Sequence, residues 1–263
     1  MLPEKDGRAI RLIDLATPSA GLPREVPRED GPADNPFVNN TEETQIAALS
    51  APEPLLFAPG TGMMYSNFGF DLLGAALAHS SGKPYAALLE ERILAPLDMN
   101  DTGFGAQPED AARVMRGHNF DGTPLPIVPT PVSIECAGGL YTTPNDMLRW
   151  MSWHLDRDAS ADDEVRLLDH AAYIYRDGMN PVLGLDEGIS IDAMGLGWII
   201  LMPEGDRPLI MHKSGGLQGN FAFIGLAPTR GVGVFFAMNQ FSLSGYAAAE
   251  GSAIGLISEL ASR

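Results

Sequence analysis

The chain has 263 residues, of which 45% are hydrophobic and 19% charged, apolar enough to bury a sizeable core in one or two domains and too apolar for a disordered polymer. Thirty-four acidic against seventeen basic residues give a net charge of −17, which repels phosphate backbones and anionic membrane surfaces and excludes nucleic acid as an expected partner. No stretch of eighteen or more apolar residues occurs, and Met1-Leu2-Pro3-Glu4-Lys5-Asp6 has neither the basic start nor the apolar run of a secretory signal, so a soluble chain with no signal peptide and no transmembrane segment is expected.

Residues 16–60 carry prolines at 18, 23, 27, 32, 36, 52, 54 and 59 and read as irregular covering structure with short helical turns at most. From Ser66 onward Phe68, Leu72, Leu73, Ala76 and Leu77 recur at helical spacing, and Gly82 suits the helix C-terminus. A second helix is expected from Pro84, with Tyr85, Leu88, Leu89 and Ile93 as its apolar stripe and Pro96 as its end. Thr142-Thr143-Pro144-Asn145-Asp146 supplies a hydroxyl cap, a first-turn proline and an acid ahead of a third helix bearing Met147, Leu148, Trp150, Met151 and Leu155. Beyond Gly195 the period changes. Residues 198–202, 209–211, 221–226 and 232–238 are short β-rich runs separated by turns, the pattern of an antiparallel sheet. A closing helix over residues 247–261, with Ala253, Ile254, Ile257 and Leu260 on one stripe, is expected to lie across one face of that sheet. The organisation expected is a mainly helical lobe with a loop-rich entry over 1–190 and a sheet with its C-terminal helix over 191–263.

Two short motifs stand out: Tyr65-Ser66-Asn67 directly before a helix, and Lys213-Ser214-Gly215-Gly216 after the apolar run 209–211. Each is weak as a bare string, but each has a telling setting. Tyr65 follows Ala58-Pro59-Gly60 and opens a strongly periodic helix, and Lys213 leaves a strand into what reads as a glycine-rich turn that a ligand could approach closely. The five histidines, at 79, 118, 154, 170 and 212, form no pair at metal-ligand spacing, so surface or packing roles are expected and no metal site. The single cysteine, Cys136, cannot form an internal disulfide and reads as a small core residue. Neither a Gly-x-Ser-x-Gly elbow nor a phosphate-binding glycine loop is present.

The two motifs sit in an ordered series of blocks: Asp14-Leu15-Ala16-Thr17, Gly21-Leu22-Pro23-Arg24-Glu25, Phe70-Asp71-Leu72-Leu73, Ser81-Gly82-Lys83-Pro84-Tyr85, Arg149-Trp150-Met151 and Gly195-Leu196-Gly197-Trp198. With these blocks the chain resembles the class C β-lactamase and penicillin-binding serine D,D-peptidase family, and most of all its AmpH-type carboxypeptidase/endopeptidase branch. The resemblance implies an α+β, β-lactamase/transpeptidase-like fold, an antiparallel sheet flanked by helices plus a mainly helical lobe, incomplete at the N-terminus. It implies a serine hydrolase that cuts D-alanyl peptide bonds or β-lactams through an acyl-enzyme, without cofactor, on peptidoglycan stem peptides or β-lactams. The family's third motif, a Ser-x-x-Lys carrying the nucleophile, is expected upstream of Asp14, so the nucleophile is absent from this chain. Ser80-Ser81-Gly82-Lys83 matches that string but marks a helix end, where the lysine cannot lie one helical turn beyond the serine.

By resemblance, Tyr65 is the proton shuttle, its phenol expected to be drawn down by neighbouring lysine charges. Lys213 and Ser214 hold the substrate carboxylate, the Gly216 N–H forms half of an oxyanion hole, and Asn67 orients the acyl amide. Gly215 and His212 are expected to line the same substrate site. Ser214 replaces the commoner threonine and keeps its hydroxyl, and Pro18 stands where relatives often carry histidine. The resemblance also implies a periplasmic enzyme, and an exposed sheet edge at residues 232–238 that a second chain could complete. Two alternatives stay open: a non-catalytic remnant that binds carboxylate or peptide ligands, and an esterase or D-aminopeptidase on the same scaffold.

Overall fold

A computed structural model describes residues 2–105, 112–156, 162–184 and 191–262. The chain forms two compact units, each assembled from three separate stretches: Met1–Leu89, Pro129–Gly139 and Ala172–Gly197 in the first, Glu90–Val128, Leu140–Ala171 and Trp198–Arg263 in the second.

The first unit is mainly helical. It holds α1 (Leu12–Ala16), α2 (Glu42–Leu49), α3 (Asn67–Ser81) and α4 (Tyr85–Leu89). Its core gathers Ile10, Leu15, Leu22, Val26, Leu55 and Phe68, with Leu72 and Leu73 of α3 packed against it. Thus Phe68, Leu72 and Leu73 of the stripe read from 68 to 77 face the core, while Leu77 near the helix end is exposed. α3 begins at Ser66, whose hydroxyl accepts from the Gly69 N–H at 2.8 Å, and ends at Gly82, left-handed at φ 67°, as its sequence signals indicate. Midway along α3, Gly74 has no side chain because a Cβ there would overlap Cys136. The thiol is accordingly half-buried packing, pushed up to about 11 by desolvation. Two features depart from the sequence expectation. α2 is a full two turns where only short turns were expected, capped by Thr41 and pinned by the buried Gln45, whose amide donates to the Ser133 carbonyl at 3.1 Å and to Asn40 Oδ1 at 3.2 Å. The helix after Pro84 changes pitch: α4 gives way to a π-helical turn over Glu90–Leu94, where the second unit begins.

The second unit carries four antiparallel strands of a six-stranded sheet, covered by helices. Its strands are β1 (Ile199–Leu201), β2 (Ile210–Leu217), β3 (Asn220–Ala227) and β4 (Val232–Met238), in the spatial order β4-β3-β2-β1. Its helices are α5 (Pro144–Leu155), α6 (Asp163–Asp169) and α7 (Leu243–Ala261). α5 is capped by Thr143, whose hydroxyl accepts from the Asp146 N–H at 3.2 Å. Strand alternation assigns the two faces. Phe221, Phe223 and Gly225 point at α7, where Tyr246, Ala253 and Ile257 are buried. Gly233, on the opposite face, lies under Met151 and Leu155 of α5. A linear boundary at 190/191 separates α5 from the sheet, whereas in the structure α5 packs on it, over Gly233 of β4, although it lies well before β4 in the chain. β4 closes the sheet order, with its residues half-buried between α5 and α7.

Candidate active site

Tyr65 lies in the first unit, in the turn that enters α3. The turn is fixed by its neighbours. Met63-Met64 pair in parallel with Val182-Leu183, the Met64 N–H reaches the Pro18 carbonyl at 2.9 Å, and the Asn67 N–H reaches that of Arg24 at 2.8 Å. Ser66 bonds in both directions, donating to the Pro23 carbonyl at 2.6 Å while it caps the helix. Asn67 donates its amide to Glu25 Oε1 at 2.6 Å. The half-buried Tyr65 ring sits 6.1 Å from that of Phe70, and the Arg24 guanidinium lies over it at 5.2 Å. The block Pro23-Arg24-Glu25 and the block Tyr65-Ser66-Asn67 are thus one structural feature, 42 residues apart in the chain and joined by hydrogen bonds.

The phenol's electrostatics differ from the sequence expectation. Burial is the largest influence and raises its pKa above the ordinary 10, the Arg24 charge opposes that, and Glu25 and Asp71 reinforce it. The Arg24 guanidinium over the ring draws the phenol down, and desolvation outweighs it. At neutral pH the group is a neutral phenol, a donor able to give a proton before it takes one.

Lys213, Ser214, Gly215 and Gly216 lie in the second unit, within β2. They form strand rather than a glycine-rich turn: Lys213 pairs with Ile224, Ser214 with Phe223, Gly215 with Ala222 and Gly216 with Phe221. The turn comes two residues later at Gln218-Gly219, both at positive φ (48° and 76°), the two-residue hairpin whose twist matches its strands. β1 pairs with β2 only across Ile210, Met211 and His212. From Lys213 onward the ladder to β3 is the one that continues, and the residues become increasingly exposed, half-buried at 213 and 214 and open at 215 and 216. Alternation sends Lys213 and Gly215 to one face and Ser214 and Gly216 to the other. An anion touching both the ammonium and the hydroxyl must therefore sit at the strand's edge, on the side that β1 vacates. The ammonium already turns back along the strand, donating to the Ser214 carbonyl at 2.6 Å.

His212 takes a different place from the one expected. It is 1% exposed, its ring 5.8 Å from Phe223 and its Nδ1 3.5 Å from Glu250 of α7. That is the interior between sheet and helix, where the ring is not exposed. The Ser80-Lys83 string is also settled by geometry: Ser80 is in the last turn of α3, and the left-handed Gly82 separates it from Lys83.

Comparison with known proteins gives the architecture a family. The β-lactamase family pattern matches residues 1–259. The chain belongs to the β-lactamase family. It is 36% identical over 268 residues to the D-alanyl-D-alanine-carboxypeptidase/endopeptidase AmpH of Escherichia coli, a match covering 98% of this chain and 66% of that protein. Its fold superposes with a TM-score of 0.83 on the β-lactamase/D-alanine carboxypeptidase from Yersinia pestis, crystallised with citrate, at 32% identity, covering 99% of this chain and 72% of that one. A class C β-lactamase from Rhodobacter sphaeroides shares the fold at TM-score 0.73 and 20% identity. The chain thus spans about two thirds of the length of the curated relative, and its α+β architecture is the β-lactamase/transpeptidase-like one.

One cluster escaped the sequence reading of this β-lactamase-family chain. His154, at the end of α5, and His170, just past α6, are 16 residues apart, yet His154 Nδ1 and His170 Nε2 lie 3.0 Å from each other, with Asp169 Oδ2 3.5 Å and 4.0 Å away. The expectation that no histidines pair at metal-ligand spacing is corrected here, since that spacing rule holds along one helix and these residues meet across two. His154 is 2% exposed. Burial, then His170 and Arg166, hold its pKa down at about 3. Burial raises Asp169 to about 6 against the hydrogen bond from Trp198.

Proposed function

We propose that the chain carries the Tyr-x-Asn and Lys-Ser-Gly parts of a serine hydrolase that cleaves the D-alanyl peptide amide of peptidoglycan stem peptides, or the strained amide of a β-lactam, through an acyl-enzyme. The observation that carries this proposal is the open segment of β2. Gly215 has nothing within 4 Å of where a Cβ would stand, and Gly216 only ordinary contacts at 3.6 Å or more. Packing within the chain asks for glycine at neither position, although glycine weakens a strand. A ligand backbone laid along the edge beyond β1 would ask for both.

In that frame an extended peptide ending in a carboxylate aligns along β2, with its carboxylate at the edge between Lys213 and Ser214. The exposed Gly216 N–H serves the developing oxyanion. Tyr65, a neutral phenol in this chain, suits a proton shuttle that gives its proton to a departing amine while taking the one a serine hydroxyl loses on attack, and that in deacylation passes a proton from water to the serine oxygen. Acylation also requires a nucleophilic serine, and no residue of these 263 is assigned that role. A periplasmic location is part of the same proposal, since that is where a peptidoglycan substrate would be met. No described helix is long and apolar enough to cross a membrane.

Intact mass spectrometry after incubation with benzylpenicillin, run beside equilibrium titration with a D-alanyl-D-alanine peptide, tests the proposal. Saturable peptide binding lost on Lys213→Ala is expected in any form of the protein, and a covalent penicilloyl adduct wherever the nucleophile is present. Saturable binding with no adduct favours a non-catalytic remnant. No binding of either ligand would sink the proposal.

A further inference from the structure

We propose that His154, Asp169 and His170 bind a single divalent transition-metal ion of zinc's character, which ties the C-terminal end of α5 to that of α6. Three donor atoms, two imidazole nitrogens and one carboxylate oxygen, converge at separations of 3.0, 3.5 and 4.0 Å. A point equidistant from atoms so spaced lies ~2.1 Å from each, the bond length zinc makes to histidine nitrogen and carboxylate oxygen. A hydrogen-bonded pair of histidines accounts for the first separation but does not require the carboxylate to complete that triangle.

The surroundings suit a cation. The Trp198 indole N–H donates to Asp169 Oδ2 at 3.0 Å and fixes the carboxylate, the kind of outer contact that orients a ligating group. The rings of Trp150, Trp153 and Trp198 stand nearly perpendicular to that of His154, with centroids at 4.3, 4.8 and 5.4 Å, and lock its orientation. Arg166 is the opposing charge, and its guanidinium is engaged by Asp163 at 2.6 Å. The three donors leave the remaining coordination positions to water, which reaches the site past Asp169 and His170, whose side chains are 25% and 18% exposed while that of His154 is closed off. Binding requires each imidazole to carry its proton on the nitrogen turned away from the metal, a tautomer change with no net gain or loss of protons.

The chain, stripped with EDTA and dialysed, is titrated with zinc by calorimetry and with cobalt(II) by visible absorption. One zinc per chain, cobalt bands of a low-coordinate N/O site, a zinc-dependent rise in melting temperature and a change in tryptophan emission are expected. Removing the buried His154 threatens folding, so the partly exposed ligands carry the test. His170→Gln and Asp169→Asn, shown folded by circular dichroism, each weaken zinc at least ~10-fold, while a His79→Gln/His118→Gln control binds as the parent does. Affinity weaker than about 100 µM in the parent chain, or undiminished affinity in both ligand variants, overturns the proposal. Hydrolase activity enters none of these readouts.

Discussion

The two motif regions are built on opposite plans. The Tyr65 turn is held at every point by its own chain: Ser66 bonds twice, Asn67 is engaged by Glu25, and Met64 and Asn67 hang their N–H groups on the carbonyls of Pro18 and Arg24. The Lys213–Gly216 segment is strand from which support has been withdrawn on one side, because the pairing with β1 ends at His212 and glycine removes what a side chain would have covered. The first arrangement fixes a side chain, and the second keeps backbone and space available. Substitutions at the two places should therefore fail in different currencies, stability at the turn and ligand affinity at the strand.

The largest effect is expected at Gly21, in the scaffold that supports the Tyr65 turn. Its φ is +79° and a Cβ would overlap the Phe57 carbonyl oxygen, so Gly21→Ala adds left-handed strain to a backbone collision and should cost about 3–5 kcal/mol in urea melts. Next in size is the strand. Lys213→Ala removes one end of a charge-assisted carboxylate contact and should weaken a D-alanyl-D-alanine peptide by about 30-fold, with the melting temperature nearly unchanged. Gly215→Ala meets open space in the protein and should likewise leave stability alone while lowering affinity. A stability loss as large as that of Gly21→Ala would break the contrast.

What sequence alone could supply follows the same division. α3 and α5 were legible because their caps, stripes and stops lie within one turn of each other, and β1 to β4 because alternation and punctuation are local. α2 was not, since its polar surface gives little period and its anchor, Gln45 on the Ser133 carbonyl, lies 88 residues away. The glycines at 215 and 216 suggested a turn, whereas the register shows a hairpin that turns at Gln218-Gly219. Arg24 over the Tyr65 ring is visible in the sequence, but no local signal says that it would lie there. Nothing local joins His154 to His170 among the five histidines, because a spacing rule for one helix says nothing about two helix ends that meet.

A smaller effect is expected at Asp71, one turn into α3, which also bears on the Tyr65 phenol. Burial raises its carboxyl to about 7, against the hydrogen bond from Asn40, while the Glu25 charge pushes in the same direction as burial. The folded state therefore holds this proton more tightly than the unfolded chain does. Its contribution is fully present below pH ~4 and is lost as pH rises through about 7. Asp71→Asn, which cannot ionise, should be close to neutral at pH 4 and stabilising by about 1–2 kcal/mol at pH 8. Denaturant melts at the two values check the sign. The same substitution removes a negative charge that raises the Tyr65 pKa, so tyrosinate absorbance should appear at lower pH.

The smallest expected effect separates the two plans most sharply, because it concerns a serine in each motif. Ser66 accepts from the Gly69 N–H and donates to the Pro23 carbonyl. Ser66→Ala leaves both groups without that partner and should cost about 1 kcal/mol of stability. Ser66→Thr keeps a hydroxyl able to do both and should recover most of it, whereas Ser66→Asp keeps the cap but sets a carboxylate against the Pro23 carbonyl and should not. Ser214→Ala in the strand should melt as the parent does and lose affinity for a carboxylate ligand instead. If Ser66→Ala and Ser214→Ala proved equal in melting temperature, the turn would not be held by the bonds that define it, and the phenol at 65 would owe its position to packing alone.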